Sequence, residues 1–183
     1  MTTLIGILVL LICLFVDQIT KALAHISRVE GSWFLGLVRL NYVGNDGIAY
    51  GFGGNNPLFM TFVTIFTVVM ILALAVLFFT IFRKNKPAQI ALAVVESGAI
   101  GNLIDRLFVV NEQGKAIVRD FLDVSKFGFG TCNVADFCIT FGAVALVFII
   151  LFIGPDAMFP LTKKWRAEAK KREEEKESAR RGK

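Results

Sequence analysis

Four stretches of this sequence are too apolar and too long for an ordinary water-soluble fold. Residues 3–24 carry the run Leu4 to Val16, and residues 58–82 hold no charge at all. Residues 88–108 are apolar but interrupted by Glu96, Asn102, Asp105 and Arg106, and residues 133–153 end the series. A helix crosses the hydrocarbon core with about 20 residues, and the second run alone makes about 37 Å of helix. The pattern predicts an all-α membrane protein with four transmembrane helices. In the first of them Asp17 and Lys21 lie one helical turn apart, where they can pair on one face and carry the helix past Val16. That pairing, and the lack of a basic residue before the run, favours a retained span over a cleaved signal, although Ala22-Leu23-Ala24 imitates a cleavage site.

Between the spans the periodicity changes. Residues 25–57 hold Trp33, Phe34, Leu37, Val38, Leu40, Tyr42 and Val43, then five glycines between Gly44 and Gly54, and read as short strands and turns. A second connection, about 109–132, contains the alternating stretch Ala116-Ile117-Val118-Arg119, which predicts a strand ending at Asp120 with Arg119 pointing to the opposite side. Arg83, Lys84 and Lys86 crowd the short loop between the second and third spans. The positive-inside rule places that loop in the cytoplasm with both termini, and so makes the two long connections a small extracytoplasmic β-containing region.

Composition agrees, with 55% hydrophobic residues and a mean hydropathy of +0.65. The net charge of +5 is local: ten Lys/Arg and five Glu lie between Lys163 and Lys183, while residues 1–162 carry ten charges of each sign. The expected organisation is one membrane domain, 1–160, and a charged, helical cytoplasmic tail, 161–183, of a kind that favours an anionic lipid surface. Glu173, Glu174, Glu175 and Glu177 interrupt its basic residues and would repel phosphates, so no nucleic acid is expected as a partner. Cys13, Cys132 and Cys138 lack C-x-x-C spacing and His25, in a loop, is the only histidine, so neither a zinc site nor any other metal or cofactor is expected. The chain has no H-E-x-x-H, no G-x-S-x-G, and no Gly-Lys-Ser/Thr after the glycines of 44–54. Carboxylate chemistry is what remains, and the expected state is a monomer.

Asn102, Asp105 and Arg106 fall within about 100° of one helical face. Asp105 and Arg106 could simply snorkel to the headgroups, but an amide as deep as Asn102 must find a partner, and Gly98 and Gly101 let another helix or a peptide come close. Asp120 taken alone fits a turn, and Asp136 a carboxylate at the positive end of the fourth span. Taken together, the connection between them can fold back and set two carboxylates at one water-accessible spot. Such a pair shares a proton: the ionised member can take a proton from water while the protonated one polarises a scissile carbonyl.

The motifs resemble, as a set, those of the bacterial lipoprotein signal peptidases, or signal peptidase II. Asp17-Gln18-Ile19-Thr20-Lys21 resembles D-Q-x-x-K, and Asn45-Asp46-Gly47-Ile48-Ala49-Tyr50 resembles N-x-G-A-A-F. Gly98 to Arg106 is similar to G-A-x-G-N-x-I-D-R, Val118-Arg119-Asp120-Phe121 to V-V-D-F, and Asn133-Val134-Ala135-Asp136 to the end of F-N-x-A-D. The resemblance implies an aspartyl protease that cuts the signal peptide of a lipid-modified prolipoprotein just before its diacylglyceryl cysteine. It implies Asp120 and Asp136 as the catalytic pair, Asn102 and Arg106 holding the substrate backbone, and Asn45 helping to bind peptide. Asn133 would orient the pair, and Asp17, Lys21 and Asp105 would support the site, which would lie near the outer face of the inner membrane. Tyr50, Cys132, Arg119 and Ser97 depart from the pattern, and Glu96 stands where an apolar residue is usual. The residues by themselves leave open a small proton-coupled transporter using Glu96, Asp105 and Asp136 as relays, and a membrane scaffold without enzymatic activity.

Overall fold

A computed structural model describes residues 2–28, 30–33 and 36–181, so Phe34 of the aromatic connection and Lys183 of the tail lie outside the described residues. The order is α1 (Thr2–Ser27), β1 (Glu30–Trp33), β2 (Val38–Asn45), α2 (Pro57–Phe79), α3 (Lys86–Phe108), β3 (Val118–Asp123), β4 (Thr131–Cys132), α4 (Val134–Phe152) and α5 (Lys163–Arg181). The first four helices are each long and apolar enough to cross a membrane. Their start signals are written locally. Asn56, Asn85 and Asn133 cap α2, α3 and α4, each accepting a backbone N–H three residues on, and Pro57 and Pro87 sit where the missing N–H is harmless. Two ends differ from expectation. The first helix continues to Ser27, so His25 belongs to its last turn, and its Nδ1 lies 2.7 Å from the Tyr42 hydroxyl. The second stops at Phe79, where a tight 3-10 turn at Phe82–Lys84 carries the chain into α3.

The spans are not equivalent. The least apolar of them, α3, has a mean hydropathy of 1.3 against 2.3, 2.9 and 2.5 for α1, α2 and α4, and it is 56% buried where those are 11%, 6% and 17% buried. A helix that carries polar groups through lipid must turn them toward protein. Hence α3 is the axis of the bundle, packed on α4, α1 and α2, while Leu8, Phe15, Phe62, Phe66, Phe141 and Val144 present bare side chains outward.

The four strands form one antiparallel sheet in the order β1-β2-β3-β4. Asn45 is paired with Val118 and Val43 with Asp120, with an irregularity in β2 between Leu40 and Val43. The strand predicted to end at Asp120 runs on to Asp123, because β2 and β4 flank it through Asp123. Asp120 is therefore a mid-strand residue and not a turn residue. The sheet, the N-terminus of α4 and the C-terminus of α3 meet at one end of the bundle, and α5 comes after α4 at the other.

Candidate active site

Alternation along β3 puts Val118 and Asp120 on one face and Arg119 on the other. Asn45, opposite Val118, reaches Asp120 diagonally across the strand pair: its Nδ2 donates to Asp120 Oδ2 at 2.9 Å, while its Oδ1 accepts from Gly47 N–H. Asp136 occupies the third position of α4, where a capping box forms. Asp136 N–H donates to Asn133 Oδ1 at 3.1 Å, and Asn133 N–H donates to Asp136 Oδ2 at 3.0 Å. With its oxygen so engaged, Asn133 turns its amide nitrogen to Asp120 Oδ1, at 2.6 Å. The cap that starts a helix thus also links the two carboxylates.

Asn102 sits one layer beneath. Lys21, fully buried, has only donors, and its Nζ lies 2.8 Å from Asn102 Oδ1. That contact fixes which way the Asn102 amide faces, so its Nδ2 donates to Asp136 Oδ1 at 2.8 Å. Lys21 in turn pairs with Asp17 at 2.9 Å and lies 3.8 Å from Asp105. Asp17 accepts the backbone N–H of Ala135, beside Asp136, at 2.9 Å. A chain of donors and acceptors therefore runs from the first span to the carboxylate at the head of the fourth.

Asp105 does not join the carboxylates. It is fully buried beneath the sheet and takes three bonds from Arg119, namely Nη2 at 2.6 Å, Nε at 3.1 Å and the backbone N–H at 2.9 Å. Arg119 also donates to Gln18 Oε1 at 3.0 Å. The snorkelling arrangement considered for Asp105 is overturned, since it is paired inward. The reading of Arg119 as merely facing away missed this fork, and no local periodicity joins residues 14 apart.

Asp120 and Asp136 line one cavity of about 310 Å³ together with Asn45, Asn102, Arg106 and Tyr50. Arg106 reaches it from α3 with its buried Nε unpaired, a donor left for something that enters. Its rim is tied by the Tyr50 hydroxyl, which donates to Gly128 O at 2.6 Å, a bond that phenylalanine at this position would lack. Asp120 is 3% exposed. Burial is the main force pushing its carboxyl up to about 7; the neighbouring Asp136 charge adds to it, and bonds from Asn45 and Asn133 oppose it. Burial and the nearby aspartates push the Cys132 thiol up to about 12, so it stays a neutral packing group. Among the described residues no group of three or more His, Cys, Asp or Glu side chains is placed to hold a metal ion. Glu96 is buried in α3 but does not line this cavity, and nothing in the structure explains it.

This architecture is that of bacterial membrane enzymes. Two solved structures described by that phrase, at 2.3 Å and 1.9 Å resolution, superpose with TM-scores of 0.70 and 0.68 at 26% and 25% identity; each covers 80% of this chain, and 87% and 92% of the other. Residues 9–152 match the family described as signal peptidase (SPase) II. Lipoprotein signal peptidases are similar in sequence. That of Borrelia hermsii is 34% identical over 157 residues (80% of this chain, 89% of the relative). That of Caldanaerobacter subterraneus is 34% identical over 154 (81% and 97%), and that of Staphylococcus aureus 30% over 151 (80% and 87%). The chain belongs to the signal peptidase II family, and is a multi-pass peptidase of the bacterial inner membrane.

Proposed function

We propose that this peptidase is an aspartic endopeptidase that removes the signal peptide of diacylglyceryl-modified prolipoproteins by cutting before the lipidated cysteine. The observation that carries it is the pair Asp120 and Asp136 on one cavity, joined through Asn133. Their environments differ as the chemistry requires. Asp120, buried and raised to about 7, holds the shared proton near neutrality. Asp136 accepts from Asn102 Nδ2 and from the backbone N–H of Asn133 in the first turn of α4.

In the first step water attacks the scissile carbonyl carbon and gives its proton to Asp136, while Asp120 protonates the carbonyl oxygen to form a gem-diol. Asp136 then passes its proton to the departing amine, the C–N bond breaks, and the diol returns a proton to Asp120. Arg106 Nε, unpaired, and the second amide hydrogen of Asn102 are placed to hold substrate carbonyls. Asn45 fixes Asp120; Asp17 and Lys21 fix Asn102 and Ala135; Asp105 anchors β3. The lipid tails of the substrate stay in the bilayer while the peptide enters at the sheet end of the bundle. We further propose that this end faces outward, with both termini in the cytoplasm, and that the chain acts as a monomer without metal or cofactor.

The test is cleavage of a diacylglyceryl prolipoprotein by purified protein in detergent. Asp120→Asn and Asp136→Asn each lower kcat/KM by at least about 100-fold, as removal of a positioned acid or base does, and a chelator leaves the rate unchanged. Retained activity in either variant sinks the aspartic reading. Loss on chelation puts a metal in its place.

A further inference from the structure

The family match ends at Phe152, so membership says nothing of residues 153–183. The chain does not run straight on from α4. Gly154, at φ 107°, reverses it, and the backbone N–H groups of Met158, Phe159 and Leu161 donate to the carbonyls of Ile150, Leu151 and Phe152 at 3.1, 2.7 and 3.2 Å. These bonds satisfy carbonyls that a helix C-terminus leaves open. They also lay the elbow 154–161 back along the last turn of α4, at the level where a span leaves the hydrocarbon. Met158, Phe159 and Leu161 are exposed there.

From that level α5 departs, and it is tied back. Arg166 Nε donates to Pro160 O at 2.8 Å, and Arg172 pairs with Asp156 at 2.9 Å. Residues 163–172 carry six Lys/Arg against the single acid Glu168, with Trp165 among them. A cleft of about 680 Å³ between α5 and the ends of the spans is lined by Ile149, Ile150 and Ile153 and by the cations Lys86 and Arg172. Apolar side chains at span-end depth, a tryptophan and a dense positive charge beside an apolar cleft complement one occupant, an anionic phospholipid.

We propose that the elbow and the first half of α5 form a docking surface for anionic phospholipid headgroups on the face of the bilayer opposite Asp120 and Asp136. The exposed apolar side chains and Trp165 enter the interface, and the basic residues meet phosphates. This goes beyond the peptidase reading and does not depend on it.

The experiment uses the full chain in nanodiscs of phosphatidylcholine, alone or mixed with phosphatidylglycerol. Trypsin cleavage after Lys170 and Lys171, followed by mass spectrometry, is expected to be at least about tenfold slower in the anionic discs. The difference is expected to vanish at about 1 M salt, where screening acts within about 3 Å. As a second measurement, Trp33→Phe leaves Trp165 as the only one of the two tryptophans. Brominated acyl chains are expected to quench its fluorescence in the anionic discs and at least about twofold less in the neutral ones. Equal cleavage and equal quenching in both compositions overturn the proposal. So does protection that tracks protein density instead of lipid charge, which would make a second copy the occupant.

Discussion

Asp120 couples the site to pH with a definite sign. Its carboxyl is raised from 3.8 to about 7, chiefly by burial, so between those values the folded chain keeps a proton that the unfolded chain has lost. The stability tied to that proton is complete below about pH 4 and gone above about pH 7. Thermal unfolding in detergent should show a Tm that falls across this window, and Asp120→Asn should flatten that slope. Activity has its own limb: kcat/KM of the wild type should fall above about pH 7, since it reports the free enzyme's acid. A Tm that rises with pH over the same range would contradict the burial of a protonated Asp120. Arg119 gives a second test. It is 12% exposed and forks onto the fully buried Asp105, so Arg119→Val leaves that carboxylate with Lys21 at 3.8 Å as its one charged partner and the backbone N–H of residue 119 as its remaining bond from β3. Removing one partner of a buried pair costs about 3 kcal/mol, and Arg119→Lys, which cannot fork, should recover only part of it in chemical denaturation. Equal stability of wild type and Arg119→Val would show that the fork contributes nothing. Asp120, Asp136, Asn102 and Asn133 were legible in the sequence because they sit in motifs. Arg119 was legible only as pointing away from Asp120, because what it points at, Asp105, is brought there by the fold of the connection between α3 and β3.

All four spans announced themselves by hydropathy, but the contacts that position the site depend on close approach, which hydropathy does not record. A methyl group on Gly98 would press on Ala135 O and the Ile139 side chain, and one on Gly101 would strike the carboxylate of Asp17. These two glycines let α4 and α1 lie against α3, and Ala135 is the residue just before Asp136. Gly98→Ala should therefore separate α3 from α4 at the head of the fourth span, costing about 1–3 kcal/mol as overpacking does. Cleavage should fall more than stability explains, because the bonds from Asn102 Nδ2 to Asp136 and from Asn133 Nδ2 to Asn102 Oδ1 both cross that seam. The check is kcat measured at a temperature where the variant remains fully folded; an unchanged kcat would mean the seam has slack. The β3 boundary was missed for a related reason. Alternation up to Arg119 gave the strand's start, but its continuation to Asp123 depends on β2 and β4 supplying partners on both sides, and pairing is not a local property. The cap at Asn133 was the reverse case, since one local pattern, Asn with Asp three residues later, starts α4 and places Asp136 in the same stroke.

The molecule as a whole separates two jobs by the length of its spans. Carboxylates, sheet and cavity occupy one end; the basic loop at Arg83, Lys86 and the basic α5 occupy the other. Positive charge resists transfer across a membrane during insertion, which supports the proposed orientation with the second end inside and the first outside. That orientation suits a substrate whose signal peptide spans the bilayer and whose cleavage point emerges at the outer headgroups. A fluorescent protein fused after Lys183, of a kind that matures only in the cytoplasm, should therefore glow in intact cells. A cysteine at exposed Glu112, in the connection before β3, should react with an impermeant maleimide added from outside; a dark fusion and a blocked cysteine together would invert the topology. The same separation predicts what the tail does not do. Among the described residues none that lines the cavity comes from α5, so a chain truncated after Thr162 should cleave a diacylglyceryl prolipoprotein in detergent at a rate within about twofold of the full chain, as surface changes away from a site do. If truncation abolished cleavage in detergent, where no anionic bilayer is present, α5 would have to act on the site through the spans themselves.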